Sequence, residues 1–271
     1  MSATTSSESL LGAAWAALKQ QGRTALIPYF TAGHPDRATS LDALRRAEAY
    51  ADILEVGVPF SDPLADGPTI QRSTFEALER GMTLAGTLEL IAEARLSRPV
   101  VVFSYLNPIR RYGVERFLRD AATLGAAGLL LTDLPAGSDP EVERQVRASS
   151  LDLIRLVAPT TAGRRLDAVA RDAQGFLYLV ARLGVTGASR DLAANLDEYV
   201  ERVRAVSRLP LALGFGIATP AQARTVGRLA DGVVVGSALV ETLRTAGAEG
   251  AERFLAGLRQ ALDEVDAERK R

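Results

Sequence analysis

Val100-Val101-Val102-Phe103 and Leu129-Leu130-Leu131 decide the fold, because neither run alternates with polar residues. A strand with one wet face shows a polar residue at every second position. An unbroken apolar run belongs to a strand covered on both sides, as in a parallel sheet flanked by helices. Working outward, the same pattern recurs at Ala25–Thr31, Ile53–Val58, Leu153–Ala158, Phe176–Val180, Leu211–Phe215 and Gly232–Val235, while the opening runs extend to Val100–Tyr105 and Gly128–Thr132. Helical periodicity fills the gaps. Val114, Phe117, Leu118 and Ala121 share one helix face, as do Phe254, Leu255, Leu258, Leu262 and Val265. Asp36, Ser138 and Thr219 stand where N-caps are expected, and a further helix is predicted around Ser9–Gln20.

Eight strands alternating with helices fit a closed barrel or an open doubly wound sheet. The barrel is the better reading, since the glycine-rich polar segments follow strands all along the chain rather than gathering at one switch point. A length of 271 residues suits it, and 47% hydrophobic residues can fill its core. The expectation is therefore a (β/α)8 TIM barrel with an extra N-terminal helix. Residues 10–271 form a single domain behind a disordered tail, residues 1–9, and the charged Glu264–Arg271 segment frays.

Composition removes several functions. Cysteine is absent and His34 is the one histidine, which excludes disulfides, thiol redox chemistry and zinc sites and argues against a Ser-His-Asp triad. A formal charge of -1 leaves no electrostatic footprint for nucleic acid or an anionic membrane. Met1–Ser9 lacks the basic region of a signal peptide, and Leu10–Leu18 is too short to span a bilayer. A cytoplasmic location fits.

Functional groups in this architecture belong at the C-terminal ends of strands. The second strand, Ile53-Leu54-Glu55-Val56-Gly57-Val58, carries an acid inside an apolar run, where it must be protonated, paired or used. A buried salt bridge is the structural explanation. The loop that follows, Pro59-Phe60-Ser61-Asp62-Pro63-Leu64-Ala65-Asp66-Gly67-Pro68, is stiffened by proline and returns a second acid towards the first. Asp66 either caps the next helix or completes an acid/base pair with Glu55. Later strands end in glycine: Gly184-Val185-Thr186-Gly187, Gly214-Phe215-Gly216 and Gly236-Ser237. Backbone amides there can approach an anion, and a helix starting at Ser237 adds its dipole. Neither a dinucleotide fingerprint nor a P-loop is present.

The run Leu54-Glu55-Val56-Gly57-Val58-Pro59-Phe60-Ser61-Asp62-Pro63-Leu64-Ala65-Asp66-Gly67 resembles the characteristic segment of the tryptophan synthase α subunit family. The likeness continues through Thr31-Ala32-Gly33-His34-Pro35, Ser104-Tyr105-Leu106-Asn107-Pro108, Thr132-Asp133-Leu134-Pro135, Gly184–Ala188, Gly214–Ile217 and Val235-Gly236-Ser237, in the family's order. It implies retro-aldol cleavage of indole-3-glycerol phosphate to indole and glyceraldehyde 3-phosphate, without metal or organic cofactor. By the same resemblance Glu55 handles the protons and Asp66 binds the indole N–H. Glu55 is expected to be the more easily protonated, and Asp66, on a partly solvated loop, to stay ionised. Phosphate is expected at Gly187, Gly216, Gly236 and Ser237, with Tyr178, Thr186, Phe215, Tyr105 and Tyr29 about the substrate. His34 receives no catalytic role. The implied partner is the β subunit carrying pyridoxal phosphate, in an α2β2 heterotetramer, with Asp62-Pro63 and Tyr105–Arg111 towards it. A stand-alone lyase releasing free indole, or a non-catalytic barrel that binds a phosphorylated ligand, remain the alternatives.

Overall fold

The computed structural model describes residues 9–180, 196–214 and 216–271. Its eight parallel strands close into a barrel in sequence order, β1 pairing with both β2 and β8. They are β1 (Ala25–Thr31), β2 (Leu54–Gly57), β3 (Val100–Ser104), β4 (Ala126–Leu131), β5 (Asp152–Val157), β6 (Leu177–Val180), β7 (Leu211–Gly214) and β8 (Gly232–Val235). The helices between them are α2 (Arg37–Ala47), α3 (Pro68–Glu79), α4 (Leu84–Ala94), α5 (Leu106–Tyr112), α6 (Val114–Thr123), α7 (Pro140–Ala148), α8 (Gly163–Asp172), α9 (Leu196–Arg204) and α10 (Pro220–Gly227). Helix α1 (Leu10–Gln21) precedes the barrel, and α11 (Ser237–Arg269) ends it with a break at Gly247.

The TIM-barrel expectation thus holds, and each predicted strand lies within two residues of its observed bounds. The largest offset is β4, which starts at Ala126 because a register shift opposite Val100/Val101 lets Ala127 stand as an extra residue. Side chains alternate between two cores. Leu26, Phe30, Leu54, Val56, Val102 and Leu129 point outward under the helices. Ile27, Ile53, Val101, Leu130, Ile154, Phe176 and Val234 point inward, and α1 closes the floor beneath them with Leu11, Trp15 and Leu18.

Three sequence expectations need correction. Ser9 is not part of a tail: its hydroxyl caps α1 by accepting the Gly12 N–H (2.9 Å) and reaches Asp152 Oδ2 (2.6 Å). The cap of α7 is Asp139 rather than Ser138; the Asp139 carboxylate takes the Val142 N–H, while the Ser138 hydroxyl turns back to the Pro135 carbonyl. Asp36 and Thr219 cap α2 and α10 as expected. Glu264–Arg271 does not fray, since α11 runs to Arg269. Asp266 there is buried and accepts the Thr24 N–H (3.0 Å) and hydroxyl (2.6 Å), with Arg259 Nη2 at 3.2 Å. A charged segment stays helical because one of its acids serves a backbone donor at the entrance to β1.

Candidate active site

Strand β2 is in register with Tyr29 of β1 and Val101 of β3 at Glu55, so the acid lies at the level of two inward-facing neighbours. It is fully buried, and neither carboxylate oxygen has a hydrogen-bond partner among the described residues. Among the described residues no cation pairs with this acid, so they offer no salt bridge to explain it. Burial pushes its carboxyl up from 4.5 to about 8, so the neutral acid predominates at pH 7. Phenols line the space around it, and burial above all holds the Tyr29 and Tyr178 hydroxyls above their usual range, with the Asp66 and Glu55 charges adding to it.

Those tyrosines fit because the strand ends beside them are glycine. A Cβ on Gly57 would stand 2.1 Å from Tyr29 Oη, and one on Gly214 would stand 2.5 Å from Tyr178 Oη. Tyr29 meets Phe103 edge-on with ring centroids 5.3 Å apart. With Ile70, Leu156 and Tyr178 they wall a cavity of about 250 Å³ at the C-terminal mouth of the barrel. An apolar slot of this kind suits a flat aromatic ring.

Asp66 reaches the same cavity from the β2–α3 loop. It does not cap α3: that position belongs to Gly67, with Pro68 opening the helix. Instead Asp66 Oδ2 accepts a hydrogen bond from the Tyr105 hydroxyl (2.9 Å), which itself accepts the Ala65 N–H (2.9 Å). Gln71 braces the loop from below by donating to the Asp66 carbonyl (2.9 Å). Tyr105 is buried, packed on Phe60 at 5.0 Å, so its place is that of a clamp on the loop rather than a wall of the cavity. Asp66 is half-buried on a loop whose Asp62, Leu64 and Ala65 are exposed, in keeping with the expected partly solvated position. Burial raises its carboxyl, and the Tyr105 hydroxyl offsets part of that rise. The larger shift falls on Glu55, which has no donor.

The opposite rim is a backbone cradle. Gly216 holds φ +64°, a left-handed conformation that only glycine adopts freely, and Gly236 precedes the first turn of α11. Intrahelical bonding begins with Val240 N–H to the Gly236 carbonyl (3.0 Å), which leaves the amides of Ser237, Ala238 and Leu239 at the positive end of the helix. Gly216, Gly236 and Ser237 all border the cavity. An anion held there would face Asp66 and the aromatic slot. Thr186, Gly187 and Phe215 lie outside the described residues.

Ile70, Phe103, Thr132 and Leu156 also border the cavity, beyond the expected site residues. Phe103 and Leu156 sit two residues beyond the inward Val101 and Ile154, so period-two counting within the apolar runs would have found both. His34 is buried away from the cavity, with Nδ1 3.2 Å from Glu76 Oε2. Among the described residues no acid or histidine cluster could hold a metal, and no helix is long and apolar enough to cross a membrane.

Comparison with known proteins gives one consistent answer. Residues 15–268 match the family model described as tryptophan synthase alpha chain. The tryptophan synthase alpha chain of Gluconobacter oxydans is 47% identical over 233 residues, covering 84% of this chain and 86% of its own length. That of Acidiphilium cryptum is 46% identical over 239 residues, 87% of each chain. Among solved structures, tryptophan synthase subunit alpha from Legionella pneumophila superposes with a TM-score of 0.87 at 33% identity, over 94% of this chain and 99% of that one.

Proposed function

We propose that this chain, which belongs to the tryptophan synthase alpha chain family, cleaves indole-3-glycerol phosphate to indole and glyceraldehyde 3-phosphate. The observation that carries the reading is the contrast between its acids. Glu55 is neutral and unpartnered inside the barrel, whereas Asp66 is aimed over the rim by a phenol. The reaction needs this division of labour. Protonation of indole C3 by Glu55 makes the ring an electron sink. The resulting carboxylate then takes the proton of the glycerol hydroxyl on the carbon attached to the ring. As that C–H(OH) carbon becomes an aldehyde, the C–C bond breaks and its electrons return to the indole. Asp66 accepts the indole N–H and stabilises the positive charge that develops there. Glu55 ends each cycle protonated, as it began, so the balance requires neither metal nor organic cofactor.

The dianionic phosphate binds the amides at Gly216, Gly236 and Ser237, which fixes the glycerol across the cavity. Family members pair with a β subunit, and we place this chain in a cytoplasmic α2β2 assembly whose β subunit holds pyridoxal phosphate. The exposed Leu64 at the tip of the β2–α3 loop supports a partner on that side. Indole formation from indole-3-glycerol phosphate, measured with and without a β subunit, tests the reading. Slow turnover that rises on adding the partner is expected. Fast turnover of the chain alone identifies a stand-alone lyase, and no indole in either case rejects the activity.

A further inference from the structure

Asp66 depends on Tyr105, and Tyr105 depends on a loop held by a buried ion pair. Arg155 on β5 and Glu143 on α7 are both buried, with Arg155 Nη2 2.9 Å from Glu143 Oε2. Neither touches the cavity. Each also holds the backbone of the β4–α7 loop: Arg155 Nη1 donates to the Leu134 carbonyl (2.8 Å), and Glu143 Oε1 accepts the Gly137 N–H (2.8 Å), while Arg155 Nε has no hydrogen-bond partner among the described residues. The pair thus satisfies two groups that no strand or helix serves.

The same loop turns the other way to the site. Thr132 borders the cavity, and Asp133 Oδ1 accepts the Leu106 N–H (2.8 Å) at the start of α5. Arg110 of α5 is paired with Asp139, which caps α7. Helix α5 begins directly after Tyr105, whose hydroxyl holds both Asp66 and the Ala65 amide. Polar contacts, linked by short stretches of chain, therefore join the outward face of β5 to the catalytic loop. Buried ion pairs add little stability over well-packed apolar residues, so stability alone does not account for this one.

We propose that Arg155, with Glu143, is a positioning residue: it fixes the β4–α7 loop so that Asp133 and α5 hold the Tyr105 hydroxyl on Asp66. The inference rests on the proposed activity only for its kinetic test. Misplacement of an acid by a fraction of an ångström is enough to slow chemistry without weakening binding.

The test compares the wild-type chain, Arg155→Met, and the apolar pair Arg155→Met with Glu143→Leu, the last included because it leaves no unpaired buried charge. Hydrogen exchange at the Ala65 and Leu106 amides should quicken in both variants, while Trp15 fluorescence reports an intact barrel. In the indole assay kcat should fall about tenfold with KM held within roughly twofold. In a Tyr105→Phe background the same substitutions should lower kcat by no more than roughly twofold, because the line they act through is already cut. Unchanged exchange at both amides overturns the proposal, as does an equal loss of kcat in the two backgrounds. If the wild-type chain makes no indole with or without a β subunit, the activity is rejected and the exchange measurement still decides the tie.

Discussion

Replacing Glu55 by glutamine should stabilise the protein as it removes the activity, and the stabilisation should depend on pH. The buried acid titrates at about 8 in the folded chain against 4.5 for an ordinary glutamate. Between those values the folded state binds more protons than the unfolded state, so stability falls as pH rises through the window and levels off above it. With about 1.4 kcal/mol per pKa unit, the loss approaches about 5 kcal/mol at high pH, about 3 kcal/mol at pH 7 and nearly nothing at pH 4. Glutamine has the size of glutamic acid and never ionises. The difference between variant and wild type should therefore trace that curve, near zero at pH 4 and favouring Glu55→Gln increasingly towards pH 8. Urea denaturation followed by Trp15, the one tryptophan, reads it directly, because that ring lies in the barrel floor against Phe176. A difference that stays flat with pH, or that favours wild type at high pH, refutes an unpartnered acid at this position.

Other perturbations have equally definite outcomes. Tyr105→Phe removes the donor to Asp66, so kcat should fall about tenfold with a smaller change in KM, and the apparent pKa assigned to Asp66 should rise; a pH profile identical to wild type contradicts the clamp. Gly57→Ala drives a methyl to within 2.1 Å of Tyr29 Oη, which should cost about 1–3 kcal/mol in denaturation experiments. Tyr29→Phe should relieve this only in part, because ring carbons remain 2.6 and 2.8 Å away. Asp266→Ala strips Thr24 of its partner and leaves Arg259 short of one, so it should destabilise by about 3 kcal/mol with kcat unchanged; a chain as stable as wild type would show that the α11 terminus is not anchored there.

The barrel was legible because parallel strands buried on both faces write their pattern into short apolar runs, as in Val100–Phe103, and glycine at strand ends marks where they stop. Glu55 was legible for the converse reason, as a charge where none is cheap. What lay hidden was contact between distant segments. Nothing local shows that Tyr105 holds Asp66, that Arg155 and Glu143 meet, or that Asp266 caps Thr24; each pair is joined by the closure of the barrel, not by spacing. The same is true of Asp66's environment. The loop around Asp66 is as exposed as its polar residues suggest, but its folding brings the carboxyl to the cavity and partly buries it.

A neutral Glu55 supplies the proton that makes indole a leaving group. Single-turnover indole release by Glu55→Gln, with substrate binding measured on the same sample by calorimetry, tests it most directly. Binding within a few-fold of wild type and a rate lower by about 10²–10⁴ are expected. Release within tenfold of the wild-type rate contradicts it.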